Sequence, residues 1–330
     1  MYKVVSLSPL PASMVRSFFA PAISKFGLEI EVVALNKYDI SIFKRELPEA
    51  DFLIGDFSFA IPVTSEMADL MKKVKLIQQP STGYDHIDIE ACRKRGIPVA
   101  NIGGANSISV AEYTITVALM LTKRIMYSHN KLLQGGWAQG DLMNLARELN
   151  GKSWGVIGLG RIGRAVASRA RSLGANVLYY DVVRLSPDEE EKFGVSYRQL
   201  LRLVSESDVI SIHTPLTTET TKIIGERELR IMKPSGVLVN PSRGEIVDEE
   251  ALAEAVREGW IAGAAVDVYT KEPPPPTHPL IMVAKEGAPL VLTSHIAGAT
   301  NEARQRIIQF AIENVVRTML GKRPENVVNQ

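Results

Sequence analysis

Cysteine is almost absent: Cys92 is the only one in 330 residues. A disulfide within the chain is therefore excluded, and so is a cysteine-rich metal site. No spacing of histidine and carboxylate residues suits a metal, so none is expected. Net charge is nearly absent too, with 38 Lys and Arg against 37 Asp and Glu leaving +1. No global field draws such a chain to nucleic acid or to a membrane surface. No basic patch interleaved with aromatics is found, and no apolar run is long enough to span a bilayer. Residues 1–10 lack a charged segment followed by a long apolar core, so no signal peptide is expected and a cytoplasmic location is the default. Internal repeats are missing, and biased composition is confined to the prolines at 273–276. There is no P-loop and no Ser-His-Asp set. What is present is an ordinary globular composition, 45% hydrophobic and 23% charged, long enough for two domains.

The chain is organised around residues 151–181, G-K-S-W-G-V-I-G-L-G-R-I-G-R-A-V-A-S-R-A-R-S-L-G-A-N-V-L-Y-Y-D. An apolar run at 154–157 reads as a buried strand. Gly158, Gly160 and Gly163 follow at G-x-G-x-x-G spacing, and Ile162, Val166 and Ala170 recur at helical spacing. A second apolar run at 177–180 ends on Asp181. Strand, glycine turn, helix, strand and acid form the dinucleotide-binding arrangement. Gly158 permits the tight turn, Gly160 lets the backbone approach a pyrophosphate, and Gly163 lets helix and strand pack closely. The helix N-terminus offers N–H groups and partial positive charge to phosphates. Asp181 suits the adenine ribose hydroxyls and repels a 2′-phosphate, so the expected cofactor is NAD rather than NADP.

Alternating β and α signals run through the rest. Strands are expected at 2–6, 29–34, 52–55, 76–78 and 97–100, with helices at 13–26 and 64–71. A helix at 109–126 and a polar arm at 127–150 lead into the glycine turn. The arm is long for a connection inside a compact domain and reads as a subunit contact, the plainer reading being a surface loop. Beyond Asp181, strands are expected at 209–213, 237–239, 262–268 and 291–293. Helices are expected at 196–204, 225–232 and 249–258, and a long amphipathic one at 301–320. The nucleotide domain thus sits inside the chain, and the terminal helix returns to the first domain.

Loops at the carboxyl ends of parallel strands converge on one crevice. Three such loops carry Arg243, Glu272 and His295. An arginine there can bind a carboxylate bidentately. A histidine can exchange the proton that accompanies a hydride, and a glutamate beside it favours the imidazolium. This set suits reversible reduction of a 2-oxo acid. Plainer readings exist for each: a turn cap for Arg243, a solvated loop residue for Glu272, a core histidine for His295. His213 suits a turn under the nucleotide better than an acid. Asp267 stands in a small, apolar strand and is an odd buried charge unless it accepts a bond from a ligand amide. His129 and His278 have no evident partners. In the first domain, Ser81, Thr82 and Gly83 can present hydroxyls and N–H groups to a carboxylate; equally they can form a turn before a helix capped by Asp88.

These segments together resemble the D-2-hydroxyacid dehydrogenase family over nearly the whole chain. The telling strings are G-Y-D-H-I-D at 83–88, V-A-E at 110–112, G-V-I-G-L-G-R-I-G at 155–163, H-T-P-L-T at 213–217, N-P-S-R-G-E-I-V-D at 240–248, G-A-A-V-D-V-Y at 263–269, E-P at 272–273, H-P-L at 278–280 and S-H-I-A-G at 294–298. The resemblance implies an α/β fold in which a Rossmann nucleotide-binding domain, 101–298, is inserted in a smaller flavodoxin-like parallel-sheet substrate domain, 1–100 and 299–330. It implies Arg243, Glu272 and His295 as the catalytic trio and NAD as cofactor. Cofactor contacts would come from Gly158, Gly160, Arg161, Ile162, Gly163, Asp181, His213, Thr214, Pro215, Pro241 and Ser242, with Asp267 and Gly298 near the nicotinamide and Asn106 as a further contact. Ser81, Thr82 and Gly83 match the loop that holds the substrate carboxylate. The family forms dimers or higher oligomers through the arm, here 107–150, so a homodimer acting on a small 2-oxo or 2-hydroxy acid is expected.

Three positions depart from the family pattern. Phosphoglycerate-specific members often carry arginine in the loop after the third strand, which here reads G-D-F-S-F-A at 55–60. That lowers D-3-phosphoglycerate dehydrogenase to an alternative. Ser294 stands where proline is commoner. Thr270 and Lys271 precede Glu272 where acids are common. Formate dehydrogenase is disfavoured, because it pairs the histidine with glutamine rather than with a residue like Glu272. A dinucleotide-sensing corepressor-like binding protein on the same fold is the alternative from another class.

Overall fold

Five short apolar segments assemble the first sheet of the computed structural model, which describes residues 1–330. They are β1 (Tyr2–Ser6), β2 (Ile30–Ala34), β3 (Phe52–Ile54), β4 (Leu76–Gln78) and β5 (Val99–Ala100). Their order is β2-β1-β3-β4-β5, and every pairing is parallel. That is the flavodoxin-like order. Both faces are covered, which explains why Val4, Val5, Phe52, Leu53, Leu76 and Ile77 are all fully buried rather than alternating. The order reverses between β1 and β3.

Seven strands form the second sheet: β6 (Ser153–Ile157), β7 (Asn176–Tyr180), β8 (Val195–Tyr197), β9 (Val209–Ile212), β10 (Val237–Asn240), β11 (Gly263–Val266) and β12 (Leu290–Leu292). The order β12-β11-β10-β9-β6-β7-β8 is again all parallel. This is a doubly wound Rossmann sheet, reversing between β6 and β9. Trp154 is fully buried on β6, and its indole N–H donates to Ser211 Oγ on β9 at 2.9 Å, so the large ring carries no unmet polar group across the switch point.

The chain divides into two compact units. One contains Met1–Asn106 with Asn301–Gln330, the other Ser107–Thr300. In the first, the helix Asn301–Met319 packs on β4, where Asn314 donates to Gln78 Oε1 at 2.7 Å in a buried setting. The tail then runs antiparallel to β5, bridging Val327 to Ala100. No helix is long and apolar enough to cross a membrane.

Local structure departs from the sequence pattern in four places. The helix expected at 196–204 is corrected: its first residues belong to strand β8, and the helix spans Leu200–Glu206. The helix expected at 13–26 is two, Ala12–Phe18 and Ala20–Phe26. Pro21 lies in the first turn of the second helix, where its missing N–H is harmless; inside one continuous helix it would clash with the preceding turn. The helix expected at 109–126 spans Ser107–Thr122, and Arg124 then takes a left-handed backbone with φ 55°. Finally, the arm holds helices at Ile125–Leu133 and Gln139–Leu142.

Candidate active site

The glycine turn sits at the carboxyl end of β6, beside the end of β9. Gly158 has φ 90°, and an added Cβ would lie 2.8 Å from the His213 carbonyl carbon and the Thr214 nitrogen. Gly163 packs so closely on the turn that a Cβ there would fall 2.0 Å from the Gly158 oxygen. Gly160 differs. A Cβ there would meet nothing within 4 Å, so open space lies over the backbone where the helix Arg161–Ser172 begins. No side chain caps that helix, so its positive end faces outward uncapped. Asp181 Oδ2 accepts the Leu159 N–H at 2.7 Å, which ties the end of β7 to the turn. Alongside, the Thr214 hydroxyl is buried with no partner, and Ser242 Oγ donates to the Thr214 carbonyl. An open cradle, an uncapped helix start and an orphaned hydroxyl fit a dinucleotide phosphate and ribose.

His213 closes the floor. Both ring nitrogens are buried without partners, and burial pushes the imidazole down to about 3. A ring that stays neutral to such low pH offers no acid at neutrality. Pro215 is held by its carbonyl, which accepts from Thr220 Oγ1 at 2.7 Å.

Three neighbouring strands deliver the charged residues. After β10, Asn240 folds the Pro241–Arg243 turn: its amide donates to the Arg243 carbonyl at 2.8 Å, and its side-chain oxygen accepts the Ser242 N–H at 3.1 Å. The Arg243 guanidinium donates to the Ser242 carbonyl at 2.7 Å. After β11, Glu272 Oε1 accepts the Tyr269 N–H at 3.0 Å. After β12, His295 Nδ1 lies 2.7 Å from Glu272 Oε2, with both side chains about a third exposed. Burial works to raise the Glu272 carboxyl. The His295 bond, the Tyr269 amide and the charges of His295 and Arg243 outweigh it and hold the group below the usual glutamate range. An ionised glutamate against a ring nitrogen fixes the orientation of the ring.

His295 adopts φ 57°, a left-handed conformation that costs a non-glycine residue roughly 1–2 kcal/mol. Asp267, fully buried at the end of β11, holds it there. Its carbonyl accepts the His295 N–H at 2.7 Å, and its carboxylate accepts the N–H groups of Ile296 and Ala297 at 2.8 Å each and the Thr293 hydroxyl at 2.5 Å. Its charge is thus satisfied inside the chain, by partners that the sequence pattern does not reveal. Two further supports also escape it. Tyr113 shares a hydrogen bond of 2.7 Å with Thr293, and Ser109 donates to the Ala297 carbonyl at 2.8 Å. The expectation for His278 is corrected: its Nε2 lies 3.3 Å from Glu249 Oε2, while Glu249 Oε1 accepts the Thr270 N–H. Gly298 lies just beyond, its carbonyl accepting the Thr300 N–H at 3.1 Å.

In the first unit, Ser81 accepts from Gln79 at 2.6 Å and donates to the Gly83 carbonyl at 2.7 Å. Thr82 donates to Asn106 Oδ1 at 2.8 Å, so two residues expected to serve different ligands bond each other. The loop after β3 is wound around the buried Asp56, whose carboxylate accepts from Ser58, Ala60 and Ile61. This acid therefore shapes its own loop. Phe57 is exposed, and Phe59 stands edge-on to His86 at 4.6 Å.

Residues 115–297 match the sequence model of a family described as "D-isomer specific 2-hydroxyacid dehydrogenase, NAD binding domain". A glyoxylate reductase of Korarchaeum cryptofilum is 40% identical over 271 residues, which cover 82% of this chain and 80% of that protein. A glyoxylate reductase of Aeropyrum pernix is 40% identical over 323 residues, 96% of this chain and 94% of the relative. The D-lactate dehydrogenase of Aquifex aeolicus, solved with NAD and lactic acid, superposes with a TM-score of 0.82 at 32% identity, over 96% of each chain.

Proposed function

The chain belongs to the D-isomer specific 2-hydroxyacid dehydrogenases and is an NAD-dependent oxidoreductase, and from that premise we propose that it reduces small 2-oxo acids, glyoxylate first among them, at Arg243, Glu272 and His295. The observation that carries this reading is the 2.7 Å contact between His295 Nδ1 and Glu272 Oε2. With Nδ1 committed to the carboxylate, Nε2 is the atom that hands a proton to the carbonyl oxygen. Glu272 holds the ring in place before and after that step. Arg243 holds the substrate carboxylate and polarises the carbonyl. The glycine turn and Asp181 would hold NADH, which when bound would supply the hydride. In the oxidation direction the neutral His295 accepts the hydroxyl proton.

The Ser81–Gly83 loop, rich in hydroxyl and amide groups, is assigned to the substrate carboxylate. The 55–60 loop offers no cation, and its one acid is turned inward. That supports an unphosphorylated acid over 3-phosphoglycerate. The 107–150 arm is assigned to a homodimer contact, because Leu133, Trp137 and Met143 are strongly exposed there, Trp137 at 73%. Light scattering of Leu133→Glu/Trp137→Glu should then report half the parent mass.

NADH oxidation with a panel of 2-oxo acids tests the activity. Glyoxylate or hydroxypyruvate should turn over, and His295→Ala should lose roughly a hundredfold or more in kcat with NADH affinity nearly unchanged. Tight NADH binding with no turnover on any 2-oxo acid would sink the reading. Equal loss of rate and NADH affinity in His295→Ala would make that residue structural.

A further inference from the structure

The amino side of the second sheet holds a cavity of about 390 Å³. Its walls include Val237, which begins β10, and Pro289, which precedes β12. Arg243 and His295 leave the carboxyl ends of those same strands, so this cavity lies at the opposite edge of the sheet.

Two cations line it, Arg124 and Arg147, and no carboxylate does. Arg169, Arg184, Arg198, Arg230 and Arg257 of the same unit each pair with a glutamate. Arg124 and Arg147 make no ion pair and no side-chain hydrogen bond. Arg124 is also half-buried. Burial, and then the charge of Arg147, push its guanidinium below the ordinary value, as happens to a cation with no counter-charge. The nine-residue helix Ile125–Leu133 starts from Arg124 with no side-chain cap and no acid in its first turn, so its positive end adds to the same corner. Thr122 and Ser235 add two hydroxyl residues, and the rest of the wall is apolar, with Leu121, Val256, Ile261 and Pro289 among it. The volume falls within the range of small-molecule sites, about 300–1,000 Å³, and is larger than an inorganic anion needs.

We propose that this cavity binds an organic dianion, its oxyanion head between Arg124 and Arg147 and its body on the apolar wall. Two guanidiniums match two negative charges, and their planar forks suit phosphate and carboxylate oxygens alike. The site is separate from the catalytic arginine.

Titration calorimetry on the full chain, saturated with NADH to occupy the glycine turn, tests this with three probes: inorganic phosphate, phenyl phosphate and phthalate. Phenyl phosphate should bind saturably and about tenfold tighter than inorganic phosphate, because only it uses the apolar wall. Comparing it with phthalate identifies which oxyanion the head prefers. Arg124→Gln/Arg147→Gln should lose the binding by about tenfold or more while keeping NADH affinity. Arg147 is exposed, so Arg147→Gln alone provides the same test, with a smaller loss, where the double variant fails to fold. Arg243→Gln should retain the binding. The proposal is overturned if no probe binds saturably, or if Arg243→Gln loses the binding and the Arg124/Arg147 variants keep it. It is also overturned if the probes are silent and the Arg variants instead alter the mass seen by light scattering, because a partner's carboxylate would then be filling the cavity.

Discussion

Asp267 and His295 are joined on two levels. The Asp267 carbonyl accepts the His295 N–H at 2.7 Å, and the Asp267 carboxylate accepts the two N–H groups that follow, those of Ile296 and Ala297. A histidine in a left-handed conformation is thereby held by a buried charge one strand away. The imidazole is placed by backbone bonds as much as by Glu272, and this division of labour can be tested.

Asp267→Asn keeps the size but replaces one acceptor by an N–H₂ group facing an N–H donor. Leaving that buried amide unmet costs roughly 1–3 kcal/mol. The His295 loop should loosen, with kcat falling about tenfold to a hundredfold. Hydrogen exchange at Ile296 and Ala297 in the cofactor-free protein should quicken in parallel. Unchanged exchange with reduced kcat would confine Asp267 to a ligand contact.

Glu272→Gln separates charge from shape. The Glu272 carboxyl is held below its ordinary 4.5, chiefly by the His295 bond against the opposing effect of burial. A depressed carboxyl contributes stability that is complete above its unfolded value and is lost as pH falls through the folded value. Wild type should therefore lose Tm faster than Glu272→Gln as pH drops below about 4.5. Since the pair is about a third exposed, the difference at neutral pH should be small, about a degree or two. Activity should respond more strongly. Without the carboxylate the His295 ring loses the partner that fixes its orientation, so kcat for reduction should fall about tenfold or more. A kcat that is unaltered would remove Glu272 from the positioning of His295.

Asp181→Ala tests cofactor choice. The carboxylate accepts the Leu159 N–H and stands at the end of β7, where it would oppose a 2′-phosphate. Its removal should narrow the preference for NADH over NADPH by roughly tenfold or more, measured as the ratio of kcat/KM values. A wild type that already prefers NADPH would refute this account of Asp181.

The fold was legible because it is written locally. Each apolar run of β6, β7, β9 and β10 is a short continuous segment bounded by turn residues, as a two-sided parallel sheet requires. The glycine turn and the loops carrying Arg243, Glu272 and His295 begin where such runs stop. The supports of the site are not local. Tyr113 reaches Thr293 across 180 positions, Ser109 reaches Ala297 across 188, and Glu249 finds His278 only through the folded Tyr269–Thr270 turn. No periodicity encodes such pairs. Asp56 is a further case: the 55–60 loop shows in sequence only that it lacks a cation, and not that the oxygens of its acid are spent on its own loop.

Two glycines of one turn should respond in opposite ways, and their contrast locates the cofactor. Gly163→Ala places a methyl 2.0 Å from the Gly158 oxygen, a backbone atom that cannot swing aside. Such overpacking costs roughly 1–3 kcal/mol, so Tm should fall by several degrees and NADH affinity with it. Gly160 has φ −70°, open to any residue, and its added methyl meets no atom of the chain within 4 Å. Gly160→Ala should therefore keep the parent Tm. Its methyl would instead occupy the space over the helix start, where a pyrophosphate must approach the backbone. NADH should bind about tenfold or more weakly, as followed by fluorescence titration. A stable Gly160→Ala that binds NADH as tightly as the parent would mean that the pyrophosphate does not cross this turn, and the whole orientation of hydride toward His295 would have to be redrawn.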